Sequence, residues 1–190
     1  MLSHEPECDA ETLAPALPDT LIGEAIALLK DAERAGLRLA TAESCTGGLL
    51  SSLLTDVEGT SHVFDRGFVT YSKRSKCDLL GVPAEMIRLH GAVSEEVARA
   101  MAWGALRRSD ATIAFAITGF TGRGGPTEEA GLVHVACATE GGYSDHKQYR
   151  FGDIGRGATR LAALQAAIHH LRVAVRHLDL RPKLHPAGAV

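Results

Sequence analysis

The sequence predicts one α/β domain, and three observations carry that expectation. Segments with apolar residues at helical spacing alternate along the chain with short apolar runs of strand length, the order that α/β folds require. One run, "ATIAFAIT" at 111–118, is uninterrupted, as in a strand buried on both faces of a central sheet. The chain has 190 residues, 45% hydrophobic and 23% charged, enough for one such core.

Residues 1–18 are acidic and broken by Pro6, Pro15 and Pro18, so a mobile arm is expected there. A helix comes next, with Asp19 or Thr20 as N-cap. Its apolar stripe is Leu21, Ala25, Leu28, Leu29 and Ala32, and Gly36 supplies the stop. "LRLATAE" reads as a buried strand, leading through a turn to a helix from about Gly47 to Thr55. "RGFVTYS" is the second strand, and "PAEMIRLHG" a short helix with Pro83 at its first position.

Ser94 then caps "EEVARAMAWGALRRS", whose acidic start and basic end suit the helix dipole. After "ATIAFAIT" comes the glycine-rich loop "GFTGRGGPTEEAG". "LVHVACAT" and "YSDHKQYRF", joined by "EGG", form a hairpin in which Gly141 and Gly142 can take positive φ. A last helix runs from about Arg156 to Leu178. The domain therefore spans 19–178, between the arm and a frayed tail at 179–190.

A net charge of -3 with no dense basic block argues against nucleic acid and leaves small anionic ligands in play. No apolar run approaches the roughly 18 residues of a membrane span. The N-terminus also lacks the basic and apolar regions of a secretory signal, so a cytoplasmic setting is expected. Cys8, Cys45, Cys77 and Cys137 form no C-x-x-C pair, and His62, His90 and His134 stand isolated. Neither metal nor cofactor is expected.

The chemistry concentrates in "ATAESCTGG" at 40–48, where a strand should end and a helix begin. Amides of Cys45, Thr46, Gly47 and Gly48 at such a turn would place Ser44 beside its own oxyanion donors. Local physics ranks the plainer reading first: Ser44 or Thr46 caps the helix, and Gly47 and Gly48 permit close packing. Cys45 ranks below Ser44 as a nucleophile, because no histidine lies near it in sequence.

A serine needs a base, and no G-x-S-x-G signature is present. "VTYSKRSK" offers Tyr71, Lys73 and Lys76, but a lysine acts as base only if burial brings its pKa toward about 7 to 8. On residue statistics both lysines read as solvated. The loop after Thr118, beginning at Gly119, lies at a strand's carboxyl end, where open α/β sheets bind ligands. Its backbone and Arg123 could approach a phosphate, although it matches no P-loop. Arg156 and Arg160, four apart, share a helix face and could supplement an anion site, with solvated surface as the alternative.

Together, "TAESCTGGLLSSLLTDVEGTS", "GFVTYSKRSKCDLLGV", "GAVSEEVARAMAWGA" and "ITGFTG" give the chain, from about 20 to 175, a strong resemblance to the CinA C-terminal domain family of nicotinamide-nucleotide amidohydrolases. The resemblance implies a three-layer α/β/α sandwich with a mixed central sheet and a homodimer or higher homo-oligomer. It implies a metal-independent amidase that converts nicotinamide mononucleotide to nicotinate mononucleotide and ammonia. By the family pattern Ser44 is the nucleophile, Lys76 the lysine, Tyr71 the assisting tyrosine and Thr118 the family threonine. The sequence departs from the family's "TGIAGPGGG", with Arg123 in place of a proline, and "FGDIGRGATR" displaces Gly152 and Asp153 relative to "GDR". A changed substrate, or a nucleotide-binding homologue without turnover, is therefore the alternative reading.

Overall fold

A computed structural model describes residues 17–122 and 128–179. Five strands form one sheet in the order β2-β1-β3-β4-β5: β1 Leu39–Glu43, β2 Phe64–Val69, β3 Ile113–Gly119, β4 Leu132–Thr139 and β5 Ser144–Arg150. β1 runs parallel to both β2 and β3, whereas β4 lies antiparallel between β3 and β5, so the sheet is mixed. The chain passes from β1 to one side, then crosses back to place β3 on the other. The carboxyl ends of β1 and β3 thus flank a switch point, where ligand crevices form in such sheets.

The alternation in β3 decides how the two faces differ. Ile113, Phe115 and Ile117, with Leu39, Val133 and Val135, point to one face, where α1 (Asp19–Ala35), α2 (Leu49–Thr55) and α6 (Arg156–Asp179) cover them. Ala114 and Ala116, with Ala40, Ala42, Ala136 and Ala138, make the opposite face a floor of alanines. Small side chains there let α5 (Glu95–Arg107) settle closely, through Val97, Ala98, Met101, Ala102 and Ala105. Two shorter helices, α3 (Lys73–Leu80) and α4 (Ala84–His90), complete that layer. The three-layer α/β/α arrangement is therefore present.

Several boundaries differ from expectation for local reasons. α1 starts at Asp19 with Pro18 in the N-cap place, and no side chain caps it. α2 starts at Leu49, because Gly47 and Gly48 have φ of 63° and 97°, outside the helical region. β2 ends at Val69, since Ser72 is recruited as N-cap of α3, a helix that the sequence reading missed. Pro83 occupies the N-cap place of α4, one position earlier than expected. In the hairpin turn Gly142 alone has positive φ, at 80°. Among the described residues no helix is long and apolar enough to cross a membrane.

Candidate active site

β1 delivers Ser44 directly after its last residue, and the Ser44 amide donates to Ile117 O at 2.9 Å, fixing the turn to β3. The buried Glu43 carboxylate organises that turn and the start of α2. Its Oε2 accepts from Thr46 Oγ1 at 2.7 Å, Gly48 N at 3.1 Å and Leu50 N at 3.0 Å. Its Oε1 accepts from Ser51 N at 2.8 Å and Ser51 Oγ at 2.6 Å. An internal carboxyl group thus fills the N-terminus of α2, the position where free amides would otherwise meet a ligand.

This corrects the expectation that the amides of all four residues after Ser44 face a reacting oxygen. Gly48 N is held by Glu43, and Gly47 N donates to Ser44 O at 3.2 Å. The amides of Cys45 and Thr46 make no hydrogen bond to another residue among the described residues. The Cys45 thiol is buried, and burial pushes its pKa up to about 12, which keeps it protonated and a poor nucleophile.

Lys76 comes from α3. Ser72 caps that helix by accepting from Ser75 N at 3.0 Å, while Ser72 N donates back to Ser75 Oγ at 3.1 Å. The box sets the first turn so that Lys76 points inward, at 1% exposure, whereas Lys73 stays exposed. Lys76 Nζ lies 2.8 Å from Ser44 Oγ and donates to Thr70 O at 2.6 Å. Burial pulls its pKa down from 10.5 to about 8, against a smaller opposing pull from the thiols of Cys45 and Cys77. The solvated reading, sound for Lys73, fails for Lys76.

Ser44 and Lys76 open into a cavity of about 350 Å³ that Tyr71, Thr118, Gly119 and Arg156 also line. Tyr71 is 68% exposed at its rim. Thr118 is fully buried, and its hydroxyl donates to Ala92 O at 2.9 Å, tying β3 to the segment before α5. Gly119 can carry no side chain, because a Cβ there would stand 2.7 Å from Leu132 O.

Arg160 does not line this cavity. Its Nη2 donates to Thr46 O at 2.7 Å and braces the turn from behind. Arg156 and Arg160, grouped in sequence, therefore serve different surroundings. Arg123 lies outside the described residues. No group of three or more His, Cys, Asp or Glu side chains that could hold a metal occurs among the described residues.

Sequence reasoning missed Glu43 and Thr70. A carboxylate closing a five-residue strand that is otherwise apolar or hydroxylic was the available signal for Glu43. Nothing local marked Thr70, whose role is played by its carbonyl.

Comparison with known proteins bears on the family and the fold. The model of the CinA C-terminal domain matches residues 23–175. A "CinA-like protein" of Syntrophobacter fumaroxidans is 50% identical over 135 residues, covering 70% of this chain and 31% of that protein. Another, from Parasynechococcus marenigrum, is 44% identical over 157 residues, covering 81% of this chain and 36% of that one. The chain thus spans about a third of the length of the curated relatives it matches.

Among solved structures, the competence/damage inducible protein CihA from Agrobacterium tumefaciens superposes with a TM-score of 0.80 at 44% identity, over 84% of this chain and 98% of that one. A CinA superfamily protein from Klebsiella pneumoniae gives 0.78 at 33% identity, over 83% and 98%. With a family match over most of its length and solved relatives of the same fold, the chain belongs to the CinA C-terminal domain family.

Proposed function

We propose that the chain is an amidohydrolase that removes the carboxamide nitrogen of nicotinamide mononucleotide, yielding nicotinate mononucleotide and ammonia. The observation that carries the reading is the buried amine of Lys76, 2.8 Å from the Ser44 hydroxyl, with a pKa near 8. The nucleotide itself is taken from the family resemblance.

Lys76 in its neutral form donates one N–H to Thr70 O and turns its lone pair toward Ser44. Ser44 Oγ attacks the amide carbon and its proton passes to Nζ. The amide of Cys45, a residue of the cavity wall, is the donor offered to the oxyanion that forms. When the intermediate collapses, the C–N bond breaks and the proton on Nζ leaves with ammonia. Water then attacks the acyl-enzyme, with Lys76 again accepting a proton, and Ser44 is released.

Tyr71 and Thr118 line the same cavity and orient the leaving group. With the α2 terminus filled by Glu43 and Arg160 engaged by Thr46, the phosphate is matched by Lys73 and Arg156 on the cavity wall. Ammonia release is the test. Ser44→Ala and Lys76→Ala are each expected to lower kcat by at least about 10³-fold while the fold persists. In the native protein kcat/KM should rise with pH through a midpoint near 8 as Lys76 loses its proton. Native protein that binds the nucleotide saturably but releases no ammonia would instead be a binding module.

A further inference from the structure

The carboxylate of Glu43 touches neither the cavity nor Lys76, yet five donors from the nucleophile turn and α2 converge on it. Glu43 is fully buried, and each of its oxygens accepts from at least one backbone N–H. Its backbone carbonyl also accepts from Thr70 N at 2.7 Å, and Thr70 is the residue whose own carbonyl holds Lys76. One residue is thereby joined to both sides of the Ser44–Lys76 pair. A helix cap alone needs one or two such bonds.

We propose that Glu43 is a positioning residue for the hydrolytic reaction. By holding Thr46 Oγ1, Gly48 N, Leu50 N and Ser51, its carboxylate fixes the turn in the one shape that aims Ser44 Oγ at Lys76 and leaves the Cys45 amide for the oxyanion. The inference rests on Ser44 and Lys76 acting as nucleophile and base, but not on the identity of the substrate.

Gln at this position cannot reproduce the pattern, because its amide NH₂ must face at least one of the backbone N–H groups that the carboxylate accepts. With its oxygen in the Oε2 place, the NH₂ meets Ser51 N–H. With the groups reversed, it meets those of Gly48 and Leu50. The turn is displaced in either case, and a displacement of about 1 Å at a reacting atom is enough for a loss on the order of 10²-fold.

The test uses a substrate-independent probe, a fluorophosphonate, on the full chain, followed by intact mass. Ser44 Oγ forms a bond to phosphorus, the P–F bond breaks, fluoride leaves and Lys76 takes the hydroxyl proton. In Glu43→Gln the labelling rate constant is expected to fall about 10²-fold, with complete final stoichiometry and an unchanged pH midpoint. The midpoint holds because Glu43 is not among the groups that shift Lys76.

A merely structural role would lower the labelled fraction and leave the rate constant of the folded fraction alone, which would overturn the proposal. Should Glu43→Gln not fold, Thr46→Val decides. It removes one donor to Oε2 at constant shape and should slow labelling about tenfold, and a rate within about threefold of native would sink the inference. Native protein that labels at Ser44 yet releases no ammonia from nicotinamide mononucleotide would overturn the proposed substrate and leave the positioning role standing.

Discussion

Lys76 shows at the level of one residue how the site opposes the fold. Its pKa falls from an ordinary 10.5 to about 8, so the folded state binds fewer protons than the unfolded state between those values. Stability therefore rises with pH across that window. At pH 7 the full penalty is present, of about 3 kcal/mol for a shift of this size. Lys76→Met keeps an unbranched chain of similar length and removes the charge, while leaving Thr70 O without its donor. The net expectation is a gain of about 1–2 kcal/mol at pH 7, seen as a Tm a few degrees higher, together with loss of ammonia release. A lower Tm in calorimetry would mean that the Thr70 and Ser44 contacts outweigh the buried charge.

The element that carries Lys76 depends on a close approach. α3 packs against α5 at Gly104, where a Cβ would lie 2.2 Å from Leu80 O. Gly104→Ala must push α3 outward and take Lys76 with it. Overpacking of this kind costs about 1–3 kcal/mol, more than the ~1 kcal/mol of helix propensity that alanine adds. Both Tm and kcat should therefore fall, whereas a variant with raised Tm and native turnover would show that the helices separate without moving the amine. The same helix explains a failure of sequence reading. Its inward positions are Lys76 and Leu80, so the stripe that would have announced it contains a lysine. A buried lysine sits where periodicity demands an apolar residue, and the helix vanished into a polar stretch. Glu43 hid in the opposite way, as a charge inside a buried strand.

Across the whole molecule, the alternation of β3 and the spacing in α1, α5 and α6 were enough to read an α/β core, because burial of repeated apolar positions is a local signal. The pairing of distant residues was not, since Ser44 and Lys76 meet only through the order of the strands. Acid sensitivity also belongs to this scale. His134 Nδ1 lies 2.9 Å from His146 Nε2, His146 Nδ1 lies 3.3 Å from Glu95 Oε2, and His170 is buried beside Asp145.

Burial is the first cause that lowers the pKa of all three histidines; the adjacent His146 adds to it at His134, while Glu95 and Asp145 partly oppose it. The unfolded chain takes up protons as pH falls through about 6.5, before the folded chain does. Stability contributed by the neutral rings is present above that pH and lost below it. Thermal unfolding should show Tm falling steadily from pH 7 to pH 5, and a flat profile would contradict the buried neutral state. The tie from Arg160 to Thr46, 114 positions apart, has a further consequence in the cell. During synthesis Ser44 emerges well before α6, so the turn that carries it first forms without the brace behind it. Among the described contacts of that turn the brace spans the longest stretch of chain, so it is the last that an emerging chain can make.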